Sequence, residues 1–242
     1  MLFCIFTNVQ SSQISCTFKN YDFWQLGSLY GCLAKVNLDG NRTVNQIFGH
    51  HEAEKTNNDV KGMKFEPQSG TLLPIGIDTF FPFLESIVLE NRDLIKVSRE
   101  DFAPFHRLRQ VHIYGNKIQE LDSDLFISNP LIAHVSFAGN PLKHVGHGTF
   151  ESLKDLQSLY LVSAHCISEE AQNNRLGVLK MIQRVTVNCP PSSAMIIREV
   201  LESDEFKRRI EQEISDKASP LAWKLFQIEE KLSKFENCCV QG

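Results

Sequence analysis

The chain lacks any apolar run approaching the roughly 20 residues that a membrane-crossing helix needs. It also lacks an excess of positive charge. Its 25 Lys and Arg stand against 29 Asp and Glu, giving a formal net charge of -4 and a pI near 6.1. That balance argues against a nucleic-acid partner. Missing too are the motifs that announce catalysis. No P-loop, dinucleotide loop, nucleophile elbow or His-Glu-x-x-His is present. His50-His51 lies near Glu52 and Glu54, and His144-x-x-His147 makes a second pair. Neither sits beside a suitable Cys cluster, and irregular backbone gives them no fixed ligand geometry, so no metal site is expected. Gly146-His147-Gly148-Thr149 is a turn, since no Lys-Ser/Thr follows it. These absences predict a chain without catalysis, cofactor or membrane span.

What is present is a period. Leu108, Val111, Ile113, Asn116 and Ile118 fit L-x-x-L-x-L-x-x-N-x-L. The same slots recur at Leu84, Ile87, Leu89 and Leu94, and at Ile132, Val135, Phe137, Asn140 and Leu142. They recur once more at Leu156, Leu159 and Leu161, with Cys166 in the last apolar slot. The starts at 84, 108, 132 and 156 are 24 residues apart, as are Val97, Leu121 and Val145, and Phe102, Phe126 and Phe150. Val60, Met63 and Phe65 add a degenerate unit one period earlier, with an insertion in its back half. This is the signature of a leucine-rich repeat. It predicts an α/β horseshoe-shaped solenoid of about five units over 59–165.

The chemistry accounts for the pattern. L-x-x-L-x-L makes a short strand whose apolar residues point inward. An Asn in the ninth slot, as at Asn116 and Asn140, can bond the backbone groups left open where the chain turns off the strand. Arg92 and Ala164 hold that slot in the outer repeats, where a weaker ladder is expected. The Phe positions should stack as a spine along the convex side. No unit can bury its apolar face alone, so the core exists only by stacking.

The cysteines mark the ends of the solenoid. Cys16 and Cys32 precede the repeats, Cys166 and Cys189 close them, and Cys238 and Cys239 sit at the far end. Disulfide-stapled caps at 16–58 and 166–191 follow from that placement, with an oxidising compartment. Residues 1–15 read as a truncated signal segment and a polar spacer, in which Cys4 lies. From Cys16 to Phe48 the text is that of β-hairpins, with a turn at Asp39-Gly40-Asn41. Asn41-Arg42-Thr43 is an N-glycosylation triplet in that turn.

The cap and repeats together resemble the short secreted leucine-rich-repeat proteins of insects. The residues that carry the likeness are Cys16-x-Phe18, Tyr30-x-Cys32-x-x-x-Val36, Asn58-Asp59-Val60-x-Gly62 and Asp122-Ser-Asp124-Leu125-Phe126. The likeness covers residues 16 to 190. It implies an extracellular, curved recognition module with no catalytic residues to transfer, and it names no ligand.

The tail, 192–242, changes composition. Ile197, Val200 and Leu201 begin an amphipathic helix that Ile210 and Ile214 continue. Beyond Pro220, Leu221, Leu225, Ile228, Leu232 and Phe235 form a heptad seam of about two heptads, which Cys238-Cys239 follow. One reading is a homo- or hetero-dimerising coiled coil locked by interchain disulfides at Cys238 and Cys239. It resembles, in architecture alone, insect immune proteins that join repeats to a cysteine-flanked coiled coil. The other is a helix pair that only caps the solenoid.

The candidate site is the concave strand face. Slots three, five and seven point away from the core, and they place Lys64, Glu66, Val88, Glu90, Gln110, His112, Tyr114, His134, Ser136 and Tyr160 on it. His112, Tyr114 and His134 hold its middle. Solvent-facing aromatics on a polar sheet are what protein recognition surfaces use. The two histidines would make binding pH-sensitive between about pH 5 and 7. The expected function is secreted recognition of a protein or glycan, in immunity or matrix. The alternative is a structural or inhibitory protein that blocks an enzyme across the same face.

Overall fold

The structure, a computed structural model, describes residues 12–37, 42–67, 72–216 and 224. The chain divides into two compact units, Met1–Ser192 and Ser193–Gly242.

The first unit is built on one nine-stranded sheet. Its strands are β1 (Ser12–Phe23), β2 (Gly27–Asn37), β3 (Val44–Phe48), β4 (Gly62–Phe65), β5 (Ser86–Glu90), β6 (Gln110–Tyr114), β8 (His134–Ser136), β10 (Ser158–Tyr160) and β11 (Glu170–Ala171). Two further short strands, β7 (Glu120–Leu121) and β9 (His144–Val145), pair parallel to each other outside that sheet. The sheet order is β11-β10-β8-β6-β5-β4-β2-β1-β3. From β4 to β10 the strands are parallel. Gly62, Ser86, Gln110, His134 and Ser158 stand side by side, each 24 residues from the next. The 24-residue period is therefore the sheet register itself. A parallel strand needs a crossover to return, and here the back half of each repeat supplies it.

Packing follows the slots. Leu84, Leu108, Ile132 and Leu156, which share the first slot, are fully buried, as are Val111, Ile113, Val135, Phe137, Leu159 and Leu161. The Phe spine is continuous, with ring centroids 5.7 Å apart for Phe102–Phe126 and 6.4 Å for Phe126–Phe150. All three rings are buried.

Asn116 ties the turn after its own strand to the turn of the preceding repeat with four hydrogen bonds. Its Oδ1 accepts from the backbone N–H groups of Arg92 (3.0 Å) and Leu94 (3.2 Å), and its Nδ2 donates to the carbonyls of Leu89 and Tyr114, both at 2.9 Å. Asn140 repeats this one unit on, donating to Ile113 (2.8 Å) and accepting from Ile118 (3.2 Å). In the outer repeat the Arg92 guanidinium takes another course. It donates to the Glu66 carbonyl at 2.7 Å and lies over the Phe65 ring, and burial lowers its pKa.

A second period sits at the slot before that Asn. Asn91, Gly115, Gly139 and Ser163 all have positive φ, at 50°, 65°, 70° and 66°. The chain leaves every one of these strands through a left-handed residue, which favours Gly and Asn. Because different residue types fill the slot, composition alone does not reveal it.

Both ends are stapled. Cys16 is joined to Cys32 across the β1–β2 pair, and Cys166 to Cys189. Strand β1 starts ahead of Cys16. Ser12–Ser15, polar enough to read as a spacer, belong to it, and Ile14 is fully buried opposite Val36 of β2. After β11, helix α2 (Arg175–Asn188) begins at Asn174, whose side chain accepts from the Gly177 N–H. It buries Val178, Met181, Ile182 and Val185. Cys189 follows, and its carbonyl accepts from the Val145 N–H. A one-turn helix, α1 (Arg99–Phe102), lies within the second repeat.

The second unit contains α3 (Ser193–Glu202) and a further helical stretch, 204–216. Ile196, Ile197, Val200 and Leu201 are exposed along α3. The heptad seam, Cys238 and Cys239 lie outside the described residues, and so does Asn41.

Candidate functional site

The concave ladders occupy the positions that the period assigns. Slot five aligns Lys64, Val88, His112, Ser136 and Tyr160 across the sheet, and slot three aligns Gly62, Ser86, Gln110, His134 and Ser158. Their exposure is uneven. Val88, Gln110, His134 and Ser136 are buried, Lys64, Glu66, His112 and Tyr160 are half-buried, and only Glu90 and Tyr114 are exposed.

The cover is part of the chain itself. The tip of the β1–β2 hairpin, residues 23–26, lies against the concave face. Phe23 is buried where Gly31 and Gly62 leave room for its ring. A Cβ on Gly62 would come within 2.1 Å of that ring. The Lys64 ammonium sits 5.1 Å from the centre of the same ring. Trp24 reaches further along the solenoid. Its ring centroid is 4.6 Å from that of Tyr160, edge to face, 5.6 Å from His112 and 6.1 Å from His134. Gln25 ends the crossing, its Oε1 accepting from Asn173 Nδ2 at 3.0 Å beyond the last repeat. Three consecutive residues thus touch the first repeat, the last three repeats and the C-terminal cap.

Sequence reasoning misses this contact. The signal lies in two places. A tight hairpin turn normally carries Gly, Asn or Asp, and here two large aromatics, Phe23 and Trp24, lead into it. Glycine also stands in a concave slot, Gly62, where a side chain would normally project.

The result is an aromatic strip. Tyr114 stacks beside His112 at 6.3 Å, His112 meets Trp24, and Trp24 meets Tyr160. Glu90 adds a carboxylate 3.2 Å from His112 Nε2. Burial lowers the pKa of His112. Glu90 opposes that shift and Lys64 adds to it. Burial also lowers the pKa of His134, with the Arg109 charge acting the same way. The Tyr160 phenol is raised by burial and by the Glu170 carboxylate. Burial thus favours the neutral form of both histidines, in which one ring nitrogen donates and the other accepts.

One histidine of each pair has contacts of its own. His51 lies in the N-terminal cap, stacked on Phe18 at 3.8 Å, with Nδ1 3.0 Å from the Tyr30 hydroxyl and Nε2 2.9 Å from Asn57 Oδ1. His144 Nδ1 is 2.7 Å from the Pro190 carbonyl. Among the described residues, no three His, Cys, Asp or Glu side chains converge as metal ligands would. None of the described helices is long and apolar enough to cross a membrane.

No family model matches the chain. A 62-residue stretch is 34% identical to leucine-rich repeat-containing G-protein coupled receptor 5 of Xenopus tropicalis. The same identity over the same length holds for leucine-rich repeat-containing G-protein coupled receptor 5A of Xenopus laevis. The fold is that of a leucine-rich-repeat solenoid. The matched stretch is 26% of this chain and 7% of each receptor, so the repeat protein spans a small part of these curated relatives. Among solved structures, it is similar to a chain of the Toll–Spatzle complex, described as a hub in Drosophila development and innate immunity. That likeness has a TM-score of 0.42 and 19% identity, over 51% of this chain and 17% of the other.

Proposed function

We propose that this leucine-rich-repeat protein is an extracellular recognition module that binds a protein partner on its concave face and catalyses no reaction. The observation that carries the reading is the aromatic strip Tyr114–His112–Trp24–Tyr160, half open to solvent and flanked by Glu90. Aromatic side chains bury much area at low entropic cost, and they dominate the energetics of protein interfaces. The shared stretch with two repeat-containing receptors supports the same reading.

Two disulfides in the caps favour an oxidising compartment and hence the secretory route. Glycosylation at Asn41 and dimerisation through the tail, with Cys238 or Cys239 crossing chains, belong to the same reading. Intact mass with and without reductant tests the latter. A mass that stays monomeric without reductant removes the covalent dimer.

The binding reading is tested on the full chain. A partner is first identified by crosslinking to the purified protein in extracellular fluid and then produced separately. Tyr114→Ala with Glu90→Arg should weaken its binding at least tenfold, while Ile127→Ser, at an exposed apolar position in the back half of a repeat, should leave it unchanged. The opposite pattern would place recognition elsewhere and remove the concave face from the proposal.

A further inference from the structure

The concave face is incompletely satisfied. Ser86 Oγ, Gln110 Oε1 and Nε2, His112 Nδ1 and His134 Nδ1 are buried without a hydrogen-bond partner. They are five of the eight such side-chain atoms among the described residues, and all five lie on slots three and five of three successive repeats. Buried polar groups are nearly always paired, and each one left bare weakens the state that contains it. With the hairpin over the sheet, these side chains are left without a protein partner.

The hairpin is held unequally along its length. Phe23 is fixed in a space cleared by two glycines. Trp24 is only half-buried and rests on ring contacts. Gln25 holds by one exposed hydrogen bond. Gln25 and Gly27 both have positive φ, 63° and 73°, so the turn bends just beyond Trp24. An anchor at Phe23 and a lightly held tip are what an exchangeable cover requires.

We propose that Trp24 is a built-in surrogate ligand. Its indole fills a seat made by His112, His134 and Tyr160, and a protein partner takes that seat with an aromatic side chain of its own. The partner's backbone amides then pair with Gln110, His112 and His134, which the tip leaves bare. The occupant is inferred from the present one: an aromatic residue in a turn, followed by an amide that reaches Asn173. The inference rests on the concave face being the recognition surface, and it adds how that surface is kept closed and what opens it.

The probe is a synthetic peptide of the chain's own tip, Asn20–Ser28. It should bind the full-length Trp24→Ala chain saturably by calorimetry, and the wild-type chain at least tenfold more weakly, because the wild-type tip competes. Replacing the peptide's Trp by Ala should abolish binding. In a Trp223→Phe chain Trp24 is the remaining tryptophan of the two. A peptide with Phe in place of Trp should then shift Trp24 emission to the red as the tip is displaced. That readout needs no change at the seat. Equal binding to both chains, or no binding to a Trp24→Ala chain whose circular dichroism is native together with no emission shift, overturns the exchangeable tip. Such a failure leaves concave recognition standing if Glu90→Arg with Tyr114→Ala still weakens partner binding at least tenfold. Peptide exchange without that loss would instead leave a movable tip with no recognition role, which overturns the surrogate ligand as well.

Discussion

His112 and His134 sit one repeat apart under the same indole, and burial sets the behaviour of both. Their folded pKa values lie below the ordinary histidine value of about 6.5. The folded chain thus binds fewer protons than the unfolded chain as acid is added. The stability that they contribute is fully present above about pH 7, and it is lost as pH falls through about 6.5 toward the lowered folded values. Glu90 moderates the loss at His112, since its carboxylate favours the imidazolium. Urea unfolding should show a lower midpoint at about pH 5 than at about pH 7.5, and His112→Gln with His134→Gln should flatten that slope. A slope unchanged in the double variant would put the acid sensitivity on other groups. At this scale the sequence is highly legible for the core. A buried Leu in the first slot or an Asn in the ninth has one physical reason to be there. The left-handed position is less legible, because Asn91, Gly115, Gly139 and Ser163 share a backbone conformation rather than a residue type.

At the level of elements, the strands of the β1–β2 hairpin are written in its alternation, but the destination of its tip is not. Periodicity reports which side chains share a face. It carries no information on which distant face receives the turn. The contact of Trp24 with Tyr160 joins residues 136 positions apart (160 less 24). The aromatics Phe23 and Trp24 at the turn and the missing side chain at Gly62 are its traces in the sequence. Gly62→Ala tests whether that glycine exists to admit Phe23. The added methyl would meet Phe23 ring carbons at 2.1, 2.3 and 2.6 Å, so the ring must move, and the hairpin base with it. Overpacking of this kind costs about 1–3 kcal/mol. The expected outcome is a loss of that size in urea unfolding, together with faster hydrogen exchange in β2 and β4. Gly27→Ala is the control for added bulk, since nothing lies within 4 Å of its Cβ position, although its φ of 73° strains any side chain. If Gly62→Ala unfolds at the wild-type midpoint, Phe23 does not depend on that space.

A stack of repeats behaves as a one-dimensional array, in which each unit touches only its neighbours and the ends can unfold first. The first unit of this molecule departs from that. Phe23, Trp24 and Gln25 connect the first repeat to the last and to the C-terminal cap without passing through the core between them. A contact that skips neighbours ties the fate of one end to the other, so the repeats should unfold together. Removing it should restore independent ends. In Trp24→Ala, hydrogen exchange should become graded along the solenoid, with Ser158–Tyr160 and Glu170–Ala171 exchanging well before Gly62–Phe65, while the wild-type strands exchange at similar rates. Denaturant unfolding should broaden correspondingly, with a lower apparent m-value as two-state behaviour weakens. If the exchange pattern of Trp24→Ala is uniform, nearest-neighbour packing and the two cap disulfides already suffice for cooperativity. The crossing hairpin would then act on the concave face alone.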